Sequence, residues 1–468
     1  MADISKFIAD LSSWLWGWPL LILLFGTHIF LTFRLGFIQR YIGRSIRLSV
    51  TRDKNSDGDV SQFSALATAL AATIGTGNIV GVATAVALGG PGAILWIWLT
   101  GFLGIATKYA EGLLAVKYRT MRKDGSIAGG PMYYLQYGLK NRKLGKFLGV
   151  MFASFAALAA FGIGSSTQSN SIKDAVFSTF NLASEINIFG LAVETKILTG
   201  LVLAIIAGMV IIGGIKSIAR VSQSIVPFMA IFYVSGCLLI LVSGYETLWD
   251  SLKLIFNQAF SFEAAGGGAA GAVIMLAARY GVARGLFSNE SGLGSAAIVA
   301  AAARTRNPVR QALVSSSGTF WDTVVICALT GLTIINTGAW SSGATGFELT
   351  QLAFSKIPFG SIILGLSLLM FAFTTIIGWS YYAEKSIEYL FGRKAILPYK
   401  IAYLIMVFVG AVFSLDLIWN FADITNGLMA IPNLIALILL SGVIAAETKK
   451  YLRNNNINKY SDDEIIKH

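Results

Sequence analysis

Charged residues are scarce in this sequence. Asp, Glu, Lys and Arg make up 13% of its 468 residues, about half the share found in an ordinary soluble domain. Hydrophobic residues make up 55%, and the mean hydropathy is +0.69. This composition excludes an ordinary soluble protein and indicates a surface that mostly faces lipid. The net charge of +12 does not indicate a nucleic-acid partner, because the basic residues form short clusters between apolar segments, as in membrane proteins.

Histidine and cysteine are rarer still, with two residues of each type. The sequence contains no His-Glu-x-x-His pattern, no phosphate-binding glycine loop and no paired intramembrane aspartates in a catalytic motif. Cys237 and Cys327 lie inside apolar segments, which argues against a disulfide framework. A membrane-embedded enzyme is therefore a distant alternative, and we expect no bound cofactor.

Long apolar stretches define the architecture. A transmembrane helix needs about 20 mostly apolar residues, and eleven such stretches are present. They lie near residues 14–36, 62–89, 91–116, 147–168, 196–214, 221–243, 262–288, 311–337, 360–389, 396–414 and 416–445. The first lacks the basic start and cleavage site of a signal peptide, so we expect a retained helix. The sequence predicts an all-α polytopic protein with about 11 transmembrane helices, surrounded by membrane lipids.

Lys and Arg are concentrated in every second loop, beginning with the loop after the first span, and the loops between are nearly free of both. Because basic loops remain in the cytoplasm, this pattern predicts that the N-terminus lies outside and the C-terminus inside. The expected location is the cell (plasma) membrane, which the chain crosses many times.

The second span contains a break. Ala71–Val82 reads Ala-Ala-Thr-Ile-Gly-Thr-Gly-Asn-Ile-Val-Gly-Val. Such a break frees backbone N–H and C=O groups at membrane depth, which is tolerated only where they are buried in protein or line a cavity. Half-helix ends of this kind bind carboxylates and small cations in secondary transporters, so the break indicates a transporter. A channel is a distant alternative, because filters are built from symmetric rings and this is one long chain.

A short similarity indicates an internal repeat. Gly77–Ala83 and Ser288–Ala296 both contain Asn-x-x-Gly beside small residues, and the two spans would cross the membrane in opposite directions. Inverted pairs of five helices are common in secondary transporters. Residues 1–60 would then form an extra N-terminal helix and a basic cytoplasmic loop, 61–243 the first repeat, 244–445 the second, and 446–468 a cytoplasmic tail. The alternative is that both segments are packing patches of small residues.

Four motifs together resemble one family of membrane proteins. They are Gly75–Gly81 (GTGNIVG), Gly129–Tyr134 (GGPMYY), Gly281–Ser295 (GVARGLFSNESGLGS) and Thr374–Tyr382 (TTIIGWSYY). They are similar to motifs of the alanine or glycine:cation symporters, in the amino acid, polyamine and organocation superfamily, and the resemblance covers residues 14–445. It implies a LeuT-type fold and import of small neutral amino acids, alanine or glycine, by alternating access. Na⁺ would be the coupling ion, and no obligatory protein partner is evident.

The resemblance also implies positions for the substrate. Backbone groups can hold the carboxylate and the ammonium of an amino acid without burying a protein charge, which is costly in a membrane. The N–H groups of Thr76 and Gly77 would hold the carboxylate, and the carbonyl of Thr73 would hold the ammonium. The missing side chain of Gly75 would leave room for the ligand. The alternative for Gly75–Gly77 is a notch for helix packing.

Two pairs of side chains complete the expected substrate site. Gln168 and Asn170, at the end of the fourth span, would donate to the carboxylate or reach the cation; interhelical hydrogen bonding is the alternative. The seventh span has candidate breaks at Gly266–Gly271 and Gly281–Gly285, and its midpoint lies near Met275 and Leu276. We therefore expect Met275 and Leu276 to cap the methyl group of the substrate.

The sodium site implied by the resemblance combines neutral oxygens from two spans. Thr374 and Thr375 supply adjacent hydroxyl groups in the ninth span, and the carbonyl groups of Ala71, Ile74 and Phe371 complete the set. Threonines in the middle of a span usually bond the carbonyl four residues earlier, which is the alternative for this pair.

The remaining predictions concern the roles of ionisable residues inside the spans. Asp322 is the one carboxyl group placed well inside the membrane, where an acid is a functional candidate by default. It would carry the proton in a proton-coupled amino acid transporter, the main alternative function, or act as a hydrogen-bonded structural acid. Lys108 and Glu111 are expected to pair at the inner interface, and Arg284 to pair with Glu290 or a carbonyl near the cytoplasmic end.

Overall fold

The computed structural model describes residues 2–51, 53, 56–188, 191–260, 269–413, 416–461 and 465–467. The secondary structure of these residues is almost entirely helical. The α-helices are α1 (Ala2–Leu15), α2 (Trp18–Arg34), α3 (Ile42–Ser49), α4 (Gln62–Thr73), α5 (Val82–Gly89), α6 (Ala93–Lys117), α7 (Pro131–Gly138), α8 (Arg142–Ala159), α9 (Thr167–Phe180), α10 (Thr195–Ile212), α11 (Gly214–Ser243), α12 (Leu248–Phe260), α13 (Ala269–Asn289), α14 (Ser295–Ala301), α15 (Pro308–Thr319), α16 (Ala328–Asn336), α17 (Gly346–Phe354), α18 (Gly360–Phe391), α19 (Ile396–Val412), α20 (Asp416–Leu439) and α21 (Ser441–Thr448).

Among the described residues, five short strands lie outside the helices. They are β1 (Thr120–Met121), β2 (Ile127–Ala128), β3 (Glu185–Ile188), β4 (Leu191–Glu194) and β5 (Ile466–Lys467). Strand β1 pairs antiparallel with β2 and parallel with β5, so the C-terminal segment joins the loop after α6. Strands β3 and β4 form an antiparallel hairpin before α10. The strands are only two to four residues long, and the core is formed by the helices.

The helices confirm the predicted all-α polytopic architecture. Among the described residues, nine helical stretches are long and apolar enough to cross a membrane, and α4 with α5, bent by 53°, makes a tenth. These ten coincide with ten of the eleven expected stretches. Helix α13 lies where the seventh was expected, although residues 262–268 of that stretch are outside the described residues. The most apolar window of α6 is 72% buried and that of α19 only 28%, so α6 is central and α19 peripheral.

Three π-helical segments interrupt the central helices: Gly77–Gly81 before α5, Ala160–Ser166 between α8 and α9, and Phe320–Cys327 between α15 and α16. A wide π turn leaves backbone carbonyls without their usual donor, and such turns are frequent at functional sites. In the second segment, hydroxyl groups supply donors: Ser166 Oγ donates to the Phe161 carbonyl at 2.6 Å, and Thr167 Oγ1 to the Gly162 carbonyl at 3.2 Å. Small polar residues therefore accompany each irregular turn.

The seventh span breaks later than expected. Helix α13 continues through Gly281 and Gly285, which pack against α6: a Cβ on Gly281 would lie 2.5 Å from the Ala93 carbonyl oxygen. The helix ends at Asn289, and the chain turns with positive φ at Glu290, Gly292 and Gly294 before α14 begins. The expected break at Gly281–Gly285 is therefore wrong, because these glycines serve close helix packing. Residues 266–268 of the other candidate lie outside the described residues.

Glycine also allows α18 to approach the end of α4. A Cβ on Gly378 would lie 2.9 Å from the backbone nitrogen of Ala72 and 3.0 Å from its Cα. Real Cβ atoms do not come this close to backbone, so a larger residue would push α18 away from the first break. This contact sets the distance between the two elements that carry the predicted cation site.

We expect Gly378→Ala to lower the melting temperature of the detergent-purified protein, because overpacking a close helix contact costs about 1–3 kcal/mol. Gly26→Ala in α2 is the matched control, since its Cβ would meet no atom within 4 Å. Thermal unfolding followed by circular dichroism would measure both. Equal melting temperatures for the two variants would contradict the close contact between α18 and α4.

Candidate functional site

The first break leaves backbone groups without helical partners. The Ile74 N–H donates to the Leu70 carbonyl at 2.8 Å, which is the last bond of α4. The next N–H, that of Gly75, donates instead to Asn78 Oδ1 at 2.9 Å, so the Ala71 carbonyl loses its usual donor. The expected break therefore forms, and one asparagine side chain caps it.

Gln168 faces this break. The N–H of Thr76 donates to Gln168 Oε1 at 3.3 Å, and Gln168 Nε2 donates to the Ile163 carbonyl at 3.0 Å. The hydroxyl of Thr76 is buried and, within the described residues, has no hydrogen-bond partner. The structure thus brings together Thr76 and Gln168, as the substrate prediction requires.

Asn170 points elsewhere. Its Nδ2 donates to the Gly410 carbonyl of α19 at 3.3 Å. This is the interhelical hydrogen bond that the sequence left as the alternative. The structure therefore does not bring Asn170 to the break.

The predicted oxygen set lies between α4 and α18. Thr375 Oγ1 is 3.3 Å from the Ile74 carbonyl oxygen and 3.0 Å from that of Phe371. Thr374 Oγ1 is 2.9 Å from the Phe371 carbonyl oxygen. Both threonines are almost fully buried, and the free Ala71 carbonyl belongs to the same turn as Ile74. Hard cations prefer oxygen ligands of these kinds, so the donor set fits a small cation.

Asp322 joins three spans beside the break. Its Oδ1 accepts from Asn78 Nδ2 at 2.8 Å, and its Oδ2 accepts from Ser288 Oγ at 2.9 Å and from Thr323 Oγ1 at 2.6 Å. The carboxyl group is fully buried. No role was predicted for Asn78 or Ser288. The signal that could have found them is the shared Asn-x-x-Gly pattern, because each of these residues belongs to one copy of it or directly precedes it.

Met275 and Leu276 do not reach the first break. The Leu276 carbonyl oxygen lies 3.2 Å from the position of a Cβ on Gly89, at the far end of α5, and the Met275 side chain is 52% exposed. Phe287 and Ser288 occupy the expected place, since a Cβ on Gly77 would lie 3.3 Å from each of them. The expectation failed because it took the midpoint of the span, whereas the chain turns at Glu290–Gly294.

A cavity of about 300 Å³ opens onto one side of the break. Its walls include Thr76, Gly77, Arg284 and Phe287, and Asp423 of α20. The Arg284 guanidinium lies 5.6 Å from the centre of the Phe287 ring. Arg284 therefore faces this cavity and not Glu290, whose Oε1 accepts from the Trp379 indole at 2.9 Å. In the predicted orientation this cavity is on the outer side.

The cavity beside Thr73, at the end of α4, is much smaller. Thr73 lines a cavity of about 10 Å³ together with Lys108 and Asn289, which is room for about one water molecule. Within the described residues, Lys108 Nζ and Asn289 Nδ2 are buried without a hydrogen-bond partner. The larger cavity therefore offers the space for a ligand at Thr76 and Gly77.

Glu111 caps the second break. Its Oε1 accepts from the N–H groups of Gly292 at 2.9 Å and Gly294 at 3.0 Å, and from Asn433 Nδ2 at 2.8 Å. The expected interfacial pair of Glu111 with Lys108 is wrong. Glu111 is fully buried and satisfies backbone donors, which a carboxylate does strongly.

The comparisons with known proteins agree over nearly the whole chain. A model of the sodium:alanine symporter family matches residues 1–465. The sodium/alanine symporter AgcS of Methanococcus maripaludis is 50% identical over 457 residues, covering 96% of this chain and 97% of that protein. The probable sodium/glutamine symporter GlnT of Bacillus subtilis is 39% identical over 454 residues, covering 95% and 90%.

One solved structure shows the fold. The crystal structure of MhsT in complex with L-phenylalanine aligns with a TM-score of 0.55 at 14% identity, covering 83% of this chain and 98% of that one. MhsT is a transporter of LeuT-type fold, so the fold class expected from the four motifs is confirmed.

We expect Asn78→Ala to destabilise the protein, because it leaves the Gly75 N–H and one Asp322 oxygen buried without their partner. Each unsatisfied buried group costs about 1–3 kcal/mol. Asn187→Ala, on the exposed strand β3, is the control. Thermal unfolding of the purified variants would compare the two, and an unchanged melting temperature for Asn78→Ala would show that this side chain does not hold the break.

Proposed function

The chain belongs to the sodium:alanine symporter family, and from this premise we propose that it imports small neutral amino acids, alanine or glycine, together with Na⁺ by alternating access. The family makes it a multi-pass transporter of the plasma membrane, not an enzyme. The observation that carries the finer proposal is the first break, where freed backbone groups lie between the 300 Å³ cavity and the oxygens of α18. We expect no cofactor beyond the coupling ion.

The amino acid would bind at the cavity end of the break. Its carboxylate would accept from the N–H groups of Thr76 and Gly77 and from the unpartnered Thr76 hydroxyl. Gln168 Oε1 now accepts from Thr76 at 3.3 Å, longer than the usual 2.9–3.0 Å of an N–H···O bond. A charged carboxylate oxygen makes a stronger bond and would replace the amide oxygen there. The Thr73 carbonyl would take the ammonium group.

A small substrate suits this position. Phe287 and Ser288 pack directly against Gly77, so little space remains for a large side chain beyond the amino acid backbone. Both oxygens of the nearby Asp322 carboxyl group are already bonded. The acid that lines the cavity, Asp423, shares it with the positively charged Arg284, so the cavity walls carry no excess of negative charge for a basic side chain, which favours neutral amino acids.

Sodium would bind on the other face of the same backbone. The carbonyl oxygens of Ala71, Ile74 and Phe371 and the hydroxyl groups of Thr374 and Thr375 would surround it. Because the ion would hold the end of α4 against α18, it would order the backbone that receives the amino acid. Each ligand would then raise the affinity of the other by the same factor, which is the basis of coupled transport.

Proton coupling through Asp322 is the second candidate. Asn78, Ser288 and Thr323 all donate to its carboxyl oxygens, so the carboxyl group connects three spans beside the break. This arrangement favours a structural acid that fixes the break over a group that takes up a proton in every cycle.

Thr375→Ala should raise the half-saturating Na⁺ concentration for alanine uptake at least tenfold, the effect of losing roughly 1.4 kcal/mol of ion binding. Ser367→Ala, two turns earlier in α18, is the matched control, since its hydroxyl only donates to the Ile363 carbonyl at 2.7 Å. Uptake into proteoliposomes at a series of external Na⁺ concentrations would give both values. An unchanged Na⁺ dependence in Thr375→Ala would remove the proposed ion site.

Alanine accumulation into proteoliposomes should require an inward Na⁺ gradient and proceed without a proton gradient. The two gradients would be applied separately to the same preparation, with Asp322→Asn as a second sample. Uphill uptake driven by protons alone, and lost in Asp322→Asn, would favour the second candidate. Uptake under neither gradient would leave the substrate assignment without support.

A further inference from the structure

Helix α3 lies between two unfilled spaces, neither of which is the cavity proposed for the amino acid. On one side is an apolar groove of about 360 Å³, and on the other a polar cleft of about 490 Å³. Ile46 and Val50 face the groove, whereas Arg44 and Arg47 face the cleft. Helix α3 and the residue after it thus present an apolar face to one space and a basic face to the other.

The groove has the length of one membrane leaflet. Along α4 it extends from Phe63 to the residue after the helix, Ile74, which at about 1.5 Å per residue is roughly 16 Å. This is about half of the ~30 Å hydrocarbon thickness. The opposite wall is formed by α11 around Pro227 and by the π-helical segment that contains Trp321. Nearly all the lining side chains are apolar, so the fitting occupant is a long hydrocarbon chain.

The cleft is strongly basic. Arg44 and Arg47 of α3 share it with Arg306 and Arg310 near the start of α15. Asp53 forms ion pairs with the last two: its Oδ1 lies 2.6 Å from Arg306 Nε, and its Oδ2 lies 3.6 Å from Arg310 Nε. Within the described part of the chain, Arg44 and Arg47 have no ion-pair partner, so three of the four positive charges are uncompensated. A guanidinium group can donate two parallel hydrogen bonds to the oxygens of one phosphate, so the fitting occupant of the cleft is a phosphate group.

We propose that an anionic phospholipid binds around α3, with its phosphate in the arginine cleft and one acyl chain in the groove. A single molecule satisfies both chemistries, because the polar head of a lipid lies one leaflet away from the end of its chain. Basic pockets beside transmembrane helices are known to hold anionic head groups. Free phosphate would leave the groove empty, and a zwitterionic lipid would not balance the arginines.

The lipid would contact the helices that carry the first break. The deep end of the groove reaches Leu70 and Ile74, at the last turn of α4. It also reaches Val325 and Ile326, which follow Asp322 in the same π-helical segment. An acyl chain there would fill the space between α4 and α11 behind the first break, and would favour the conformation in which this space is open. This inference does not depend on which amino acid or ion is transported.

Lipid binding to the delipidated, full-length protein would test the proposal by native mass spectrometry. Phosphatidylglycerol should bind more tightly than phosphatidylcholine. Arg44→Gln combined with Arg47→Gln should reduce the phosphatidylglycerol affinity roughly 30-fold. The double variant Lys216→Gln/Arg220→Gln, on exposed basic residues in the first two turns of α11, is the matched control and should bind like the unmodified protein.

A groove variant separates a lipid from a free anion. Ala230→Trp would fill the groove without touching the arginines, and should weaken phosphatidylglycerol binding while its melting temperature without lipid stays unchanged. Equal binding of the two lipids would overturn the proposal in favour of unspecific contact. Displacement of phosphatidylglycerol by millimolar inorganic phosphate, with no effect of Ala230→Trp, would overturn it in favour of a simple anion site.

Discussion

Two interrupted helices meet in an apolar core, where each backbone N–H group that a break frees needs a hydrogen-bond partner from the protein or from a ligand. At the first break the Gly75 N–H donates to the Asn78 side chain. At the second, the N–H groups of Gly292 and Gly294 donate to the Glu111 carboxylate. An unpaired backbone group in such surroundings is costly. The rest of the site depends on these two caps, since they decide which backbone groups remain free for ligands.

The caps also tie the breaks to their neighbours. Asn78 also donates a hydrogen bond to Asp322. The same carboxyl group accepts a hydrogen bond from Ser288, just before the second break. Glu111 connects the second break to Asn433 of α20. A shift of either half-helix must therefore move at least one neighbouring span, which is what a protein that opens alternately to two sides requires.

Local signals predicted much of this structure, and contacts between distant residues were the part that failed. The spans follow from apolar stretches, and the first break from Gly-Thr-Gly-Asn inside one of them. Gln168 is expected at the substrate site from the family resemblance, and the structure shows its side-chain oxygen accepting from the Thr76 N–H, while its role in binding stays a prediction. Glu111 was misplaced because its partner Asn433 is 322 positions away, and nothing in the local sequence reveals such a contact. The break expected at Gly281–Gly285 was wrong because glycines that serve packing resemble glycines that break a helix.

The long separation between Glu111 and its partners has a consequence for biosynthesis. Helix α6 is made well before Gly292, 181 positions further along, and before Asn433. At ribosomal rates of about 5–20 residues per second, Glu111 waits on the order of ten seconds or more for its first partners and longer for the last. During that time a carboxyl group sits in a nascent helix, at a cost of a few kcal/mol if it enters lipid alone. Helix α6 must therefore be retained by the insertion machinery or by its neighbours until α20 has been made, because only then does Glu111 have all of its observed partners.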